Sequence, residues 1–240
     1  MAEKFEFSSY NETMKEVLKP LNPILLDEYE GHDIRGLRNI DTPMAKGYIK
    51  AFKADKIEKI GFSHVEFMGG KFLASACVIT PSSDYALPIY MSDWDEGQKA
   101  IHIITDLLPS TDCGRDNEYL AKYLDPIAPL WEKYRVMPGL EPIKLSWFRA
   151  MQSPYIITGR PPQEPEKIRK MTLDAQVDYL RYWISLWEKD EPRDPEYMKP
   201  LLERRAVMRD FLRHRDPGEG PLSKALGHDN AVVFLKLVMP

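Results

Sequence analysis

Cysteine is nearly absent: Cys77 and Cys113 are the only two in 240 residues. A disulfide-stapled scaffold and a Cys-rich zinc or iron–sulfur site are therefore both excluded, and the pair reads as reduced thiols. No stretch approaches the roughly 18 consecutive apolar residues of a membrane span. The opening MAEKFEFSSYNE lacks the charged-then-apolar order of a secretory leader, so the expected location is the cytoplasm. The five histidines, at 32, 64, 102, 214 and 228, form no HExxH or HxH pair, which leaves zinc hydrolysis and a metal site without support. No GxGxxG follows a strand, and neither GxxxxGK[ST] nor GxSxG occurs; these absences remove the dinucleotide fingerprint, the P-loop and the nucleophile elbow. The net charge is −4, too small and of the wrong sign to draw the chain to nucleic acid or an anionic membrane.

What remains is an ordinary globular composition, 43% hydrophobic and 29% charged, on a chain whose length suits one domain over residues 1–240 with a sizeable core. There are five Trp, twelve Tyr and nine Phe. They suit a pocket for a large flat ligand, and a bulky core has the same composition. Residues 9–20 read as a helix capped by Ser9 or Asn11 and stopped by Pro20, and residues 21–43 read as irregular. Apolar runs at 57–68, 71–80, 85–92 and 99–107 are separated by Gly69-Gly70, Pro81-Ser-Ser-Asp84 and Asp95-Glu-Gly97, which predicts four strands in an antiparallel meander. Residues 116–134 form an apolar helical stripe that Pro126 and Pro129 must kink. The β-rich stretch 143–158 suggests one or two further strands, and helices are expected at 165–188 and 196–214 and near the end over 222–237. The fold class is α+β: a three-layer α/β/α sandwich with a central antiparallel β-sheet.

Three acids mark the meander. Asp93 stands just past Leu87-Pro-Ile-Tyr-Met, where an apolar environment would raise its pKa and make it a proton donor; an Asp starting a turn gives the same pattern. Glu66 follows His64 at i+2, so the two share a strand face, as a solvated surface couple also would. Asp106 precedes Leu-Leu-Pro109, as a turn cap also does. Two basic groups stand out: Lys46, Lys50, Lys53, Lys56 and Lys59 at three- and four-residue spacing, and Arg204, Arg205, Arg209, Arg213 and Arg215 on the helix at 196–214. Such clusters dock acidic partners or hold ligand carboxylates, and solvated helix faces share the spacing.

In order, His64-Val-Glu66-Phe, Leu87-Pro-Ile-Tyr-Met-Ser-Asp93, Ile103-Ile-Thr-Asp-Leu-Leu-Pro109, Leu145-Ser-Trp-Phe-Arg-Ala-Met-Gln-Ser-Pro and Lys224-Ala-Leu-Gly227 resemble the ferredoxin-dependent bilin reductase family over roughly residues 35–240. The related red chlorophyll catabolite reductases share that fold. The resemblance implies an open-chain tetrapyrrole such as biliverdin held between the sheet and the C-terminal helices. It implies no bound metal or flavin, with single electrons from reduced ferredoxin and protons from side chains through a bilin radical. Asp93 takes the place of the family's central proton donor and Glu66 that of its helper. Arg149 and the helical arginines, Arg205 and Arg209 among them, are candidates for the two propionates; His102 and Asp106 are further substrate-side candidates. The lysines at 46–59 would face the acidic ferredoxin. One departure is visible: some members carry a relay histidine near the position of Ala76, where this chain reads Leu-Ala-Ser-Ala-Cys77-Val. The type of reduction that needs a paired Asp and His is left open; His102 on a later strand is either a substitute or, the more ordinary reading, a strand histidine with no such part. The first 35 residues match nothing in the family. Two rivals stand beside this reading: a binding protein or enzyme of the same fold for another large planar ligand, and a structural protein whose acids are surface features.

Overall fold

The computed structural model describes residues 6–240; residues 1–5, the start of the MAEKFEFSSYNE stretch, lie outside the described residues. Helix α1 (Tyr10–Leu18) buries Tyr10, Asn11, Met14 and Leu18 on one side. Pro20 does not stop it abruptly; it sits in a tight turn over Lys19–Leu21, where its missing N–H is no loss. The stretch expected to be irregular holds four two-residue strands: β1 (Ile24–Leu25), β2 (Glu28–Tyr29), β3 (His32–Asp33) and β4 (Ile40–Asp41). Strands this short carry no readable period, which is why the sequence pattern misses them.

The long strands are β5 (Ala45–Ala54), β6 (Ile57–Phe67), β7 (Phe72–Pro81), β8 (Ile89–Gly97) and β9 (Ile101–Leu108). They run antiparallel in sequence order, and the eight-stranded sheet reads β1-β5-β6-β7-β8-β9-β10, with β4 also on β5. The meander thus has five members rather than four. The lysine spacing over 46–59 suggests helix, yet Ala45, Ile49 and Ala51 are buried in alternation with more exposed neighbours, the period of a strand. Strand β8 also runs past the expected stop, so Asp93 lies inside a strand and not at its exit.

The second half is helical. Residues 117–134 break into α2 (Asn117–Tyr119), an irregular run of turns through Ile127 and α3 (Ala128–Tyr134), as the two prolines require. The stretch 143–158 departs from expectation: α4 (Ser146–Arg149) forms there, and only β10 (Ile157–Gly159) joins the sheet, antiparallel to β9. Helices α5 (Glu166–Lys189) and α6 (Pro195–His214) are close to the expected bounds. The last element is two helices, α7 (Glu219–Leu226) and α8 (His228–Val238), divided at Gly227, whose φ of +83° suits glycine.

These pieces make the expected three layers. On one sheet face Tyr90, Trp94, Ile103 and Leu107 pack with Tyr10 of α1 and Tyr179, Leu180 and Trp183 of α5 in a continuous core. Most of the large buried aromatics sit there, so the aromatic wealth is chiefly core. The opposite face carries two separate clusters: Ile49, Ala51 and Val65 under α8, and Val78, Ile89, Met91 and Leu108 under α4 and α6. Helix α8 approaches closely because Gly61 has no side chain; a Cβ there would lie 1.7 Å from the Leu237 carbonyl oxygen. Gly61→Ala must push α8 outward. The expected cost is about 2 kcal/mol, read in a thermal melt as a drop of roughly 4–8 °C.

Candidate active site

In an antiparallel ladder, residues directly opposite one another project from the same face. Ser63 of β6 faces Ala76 of β7, Ala76 faces Asp93 of β8, and Asp93 faces Ile104 of β9. One row further along, Ala74, Asp95 and His102 stand side by side. Both rows point away from the aromatic core, toward the gap between the two smaller clusters. That gap is a cavity of two adjoining lobes, about 610 and 820 Å3, each within the range of sites for large organic ligands. The larger lobe is walled by Ala76, Phe67, Phe72, Leu222, Phe234 and Val238. Ile104, Ile143, Trp147 and Phe148 line the smaller one, with Glu141, Lys144 and Arg160 at its polar side. Asp93, Asp95 and Asp216 belong to both lobes and mark their junction.

Asp93 lines both lobes of this cavity. Its flanking strand neighbours, Ala76 and Ile104, offer its carboxyl no hydrogen bond. Burial pushes its pKa well above the carboxylate range, Asp95 and Asp216 push it further, and His102 pulls the other way. The neutral, protonated form of Asp93 is therefore favoured to higher pH than in an ordinary carboxylic acid. Its backbone is fixed from behind: Gln176 of α5 donates to the Asp93 carbonyl at 3.1 Å and accepts from the Ser92 hydroxyl at 2.6 Å, and Tyr10 shares that hydroxyl at 2.6 Å. Two side chains flank the acid. His102 Nδ1 lies 3.5 Å from Asp95 Oδ2, and this contact raises the imidazole pKa against the opposing effects of burial and Arg160. Asp216, on the turn after α6, accepts from the Gly218 amide at 2.6 Å, and burial raises its pKa.

The structure thus brings Asp93 and His102 together and separates the other expected site residues. Glu66 and His64 project from the opposite sheet face, since Glu66 pairs with Leu73 and His64 with Ser75, which alternate with Ala74 and Ala76. His64 stacks on Tyr48 there, 5.6 Å between ring centres, with Glu66 at 3.8 Å. Asp106 is buried beyond the cavity and holds the 151–155 turn: it accepts from the amides of Leu107 and Ser153 and from the Ser153 hydroxyl, and burial raises its pKa to about 6. Arg205 is 3% exposed, bonded to Ser110 and to the carbonyls of Pro81, Ser82, Tyr85 and Leu87. Arg209 pairs with Glu58 at 3.7 Å. Neither arginine lines the cavity, and Arg149 is exposed on α4 beside it. The cations that do line it are Lys144, Arg160 and Lys224. The lysine series is no single patch either: Lys59 is fully buried, donating to the Lys236 and Met239 carbonyls, and Lys56 donates to those of Trp187 and Asp190.

Asp95, Asp216, Lys144, Arg160 and Lys224 were not singled out from the sequence as site residues. For Asp95 the signal was available, because it shares Asp93's face at i+2 once β8 is extended. Asp216 sits in Asp216-Pro-Gly-Glu-Gly-Pro221, which reads only as a turn until the fold brings it to the cavity.

A sandwich with a large, mostly apolar cavity between sheet and C-terminal helices, and at its waist an acid whose pKa is raised by burial, has the room and the lining for a large organic ligand. The chain belongs to the ferredoxin-dependent bilin reductase family, whose profile matches residues 46–239. It is 28% identical over 189 residues to a 15,16-dihydrobiliverdin:ferredoxin oxidoreductase of Gloeobacter violaceus, covering 77% of this chain and 74% of the relative. It is 27% identical over 185 residues to a phycoerythrobilin:ferredoxin oxidoreductase of the same organism, covering 74% and 71%. Its fold is similar to that of tomato phytochromobilin synthase solved with biliverdin, with a TM-score of 0.81 and 20% identity over 95% of this chain and 81% of the other. The matched region begins after β1–β4, in keeping with the unmatched N-terminal residues. Among the described residues no helix is long and apolar enough to cross a membrane.

The separation of structural from cavity arginines is testable. Arg205→Ala leaves four carbonyls and a hydroxyl without their donor and should cost about 3 kcal/mol or more. The expected readout is a large fall in thermal midpoint, with ligand affinity of the protein that remains folded unchanged.

Proposed function

We propose that this protein reduces a linear tetrapyrrole of the biliverdin type, adding two electrons and two protons across one of its double bonds. The electrons come singly from two reduced ferredoxins, which leave oxidised, with no bound flavin or metal in the path, and the protons come from the cavity acids through a bilin radical. The observation that carries this reading is Asp93, an acid whose pKa is raised by burial at the junction of two lobes that together suit an extended apolar ligand. The family membership and the names of the relatives support the substrate class and the electron donor.

The chemistry follows from the surroundings of Asp93. An apolar wall favours the neutral carboxylic acid, and an electron added to the pigment raises its basicity, so the proton moves only when it is needed. Once the proton has left, the new carboxylate is destabilised by the same burial, which drives it to recover one. Lys144 and Arg160 beside the smaller lobe and Lys224 at the larger one are the cations placed for the two propionates. Glu66, on the far side of the sheet, has no geometric part in this step.

Ferredoxin is acidic and must deliver its electron to the cavity, which favours the mouth of the smaller lobe, where Lys144 and Arg160 lie and the exposed Arg149 stands near. Lys46 and Lys53 are also exposed, on β5. Reversing Lys144 and Arg149 to Glu should raise the ferredoxin KM about tenfold at low salt and little at high salt, because exposed charges are screened. Reversing Lys46 and Lys53 should change it less; the opposite order would place docking on β5.

Biliverdin added to the protein should give a shifted, sharpened visible spectrum at one equivalent, and reduced ferredoxin under anaerobic conditions should convert it. Absence of any spectral change with every linear tetrapyrrole tried would refute the reading; binding without turnover would mark a carrier. Asp93→Asn should abolish turnover and keep binding. The sign of the pH effect is fixed: activity requires the protonated acid, so it is present below the raised folded-state pKa and lost as pH climbs through it. The same shift means the folded state holds a proton that the unfolded chain releases near pH 4. Wild-type stability therefore falls as pH rises from about 4 toward the folded-state pKa. Asp93→Asn should melt higher than wild type at pH 8, with the difference closing near pH 4.

A further inference from the structure

Saturating a double bond takes two protons, and Asp93 stores one. No side chain from the directly opposite positions on β7 or β9 can recharge it, because Ala76 and Ile104 stand there. The next row offers a route. Asp95 and His102 are directly paired across β8 and β9, and Nδ1 of the imidazole faces Oδ2 of the carboxylate at 3.5 Å. A carboxylate oxygen of Asp93, one of Asp95 and a ring nitrogen of His102 all lie within 4.8 Å of one another. All three side chains are half-buried, Asp93 at the junction of the two lobes and Asp95 and His102 beside it with 29% and 36% of their side chains exposed to solvent.

We propose that His102, oriented by Asp95, carries protons from solvent to Asp93 between the two electron transfers, so that the Asp95–His102 pair is the proton supply of the site. This rests on the reading of the protein as a bilin reductase and adds the source of its second proton. The sequence of events balances. The first ferredoxin electron and the Asp93 proton convert the bilin to a neutral radical and leave Asp93 as carboxylate. The imidazolium gives its proton to that carboxylate and becomes neutral imidazole. The second ferredoxin electron and the restored Asp93 proton complete the reduction, and His102 takes up two protons from solvent in turn, passing the first to Asp93 and keeping the second.

The charges facing His102 favour the task. From β8 come Asp95 and Asp93, and from the segment after β10 comes Arg160, whose charge opposes the imidazolium; Asp216, on the α6–α7 turn, acts on Asp93. Paired with Asp95, the imidazole holds its proton to higher pH than a free histidine, yet with Arg160 opposing it the proton is not locked. Asp95 also fixes which ring nitrogen is engaged and leaves the other free to exchange, the usual benefit of a carboxylate partner to a working histidine.

The test is an anaerobic single turnover of the biliverdin-loaded protein with reduced ferredoxin, followed by visible absorption and electron paramagnetic resonance. In His102→Gln the first step draws on the stored proton and should run at the wild-type rate. The radical should then persist, decaying about 100-fold more slowly, in line with the loss of one general acid. Biliverdin affinity should stay within about twofold, and the alkaline fall in the wild-type rate should flatten. Asp95→Asn should give the same stall in milder form and serves as the second variant if His102→Gln melts early. The proposal is overturned if His102→Gln and Asp95→Asn clear the radical at the wild-type rate. It is also overturned if His102→Gln chiefly loses biliverdin affinity, or if Asp216→Asn stalls at the radical while His102→Gln does not. A wild-type protein that binds and reduces no bilin would instead remove the reading beneath it.

Discussion

An acid enclosed without a hydrogen-bond partner from its opposite strand neighbours is the constraint around which the rest of this molecule is arranged. Asp93 projects between Ala76 and Ile104 into a hollow; neither strand neighbour offers its carboxyl a hydrogen bond, and the opposing pull of His102 does not outweigh burial. Desolvation in such a place disfavours the carboxylate, so the pKa of Asp93 is raised and its protonated form persists to higher pH. Keeping the acid there requires a rigid strand, and rigidity comes from the other side of the sheet. Gln176, Ser92 and Tyr10 join α5, β8 and α1 in a buried chain of hydrogen bonds, so the polar bonds that hold the acid lie where the ligand does not reach.

The two faces of the sheet thus have opposite characters. One is filled with interlocked aromatic rings, including Trp94, Trp183, Tyr90 and Tyr179, and supplies stability. The other is packed only at its ends, under α8 and under α4 with α6, and open between them. Small residues keep the opening clear. Ala74, Ala76 and Ser63 occupy strand positions where larger side chains would fill it, and Gly61 lets α8 lie close enough to form a wall. The absence of a histidine at position 76 has the same consequence: it widens the larger lobe, and the imidazole near Asp93 comes from β9 instead.

Charge is divided in a similar way. The arginines crowded on α6 serve the scaffold, with Arg205 binding backbone carbonyls and Arg209 and Arg213 pairing with Glu58 and Glu30. Lys59, buried with its pKa lowered by burial, ties β6 to the end of α8. These bonds hold the helices that roof the cavity, so a residue that never touches a ligand still determines the shape it meets. The cations that line the cavity, Lys144, Arg160 and Lys224, come from loops and a short helix, where side chains are freer to adapt to carboxylates.

The sequence alone determined the layer architecture, the meander from β6 to β9, the long helices α5 and α6, and Asp93 as the acid of interest. Each rests on a period or a neighbour relation that survives in one dimension: alternation for strands, three- and four-residue spacing for helices, an acid abutting an apolar run. The tertiary structure decided the rest, because face and distance are not properties of spacing. Strand register put Glu66 behind the sheet and His102 beside Asp93, although both are histidine- or acid-bearing strand positions of similar appearance. A turn residue 123 positions after Asp93, Asp216, reached the same cavity only because α6 ends over it. The arginine stripe on α6 showed the right period for a surface and the right charge for a ligand. Only packing, which surrounds Arg205 with carbonyls, revealed that it holds the fold together.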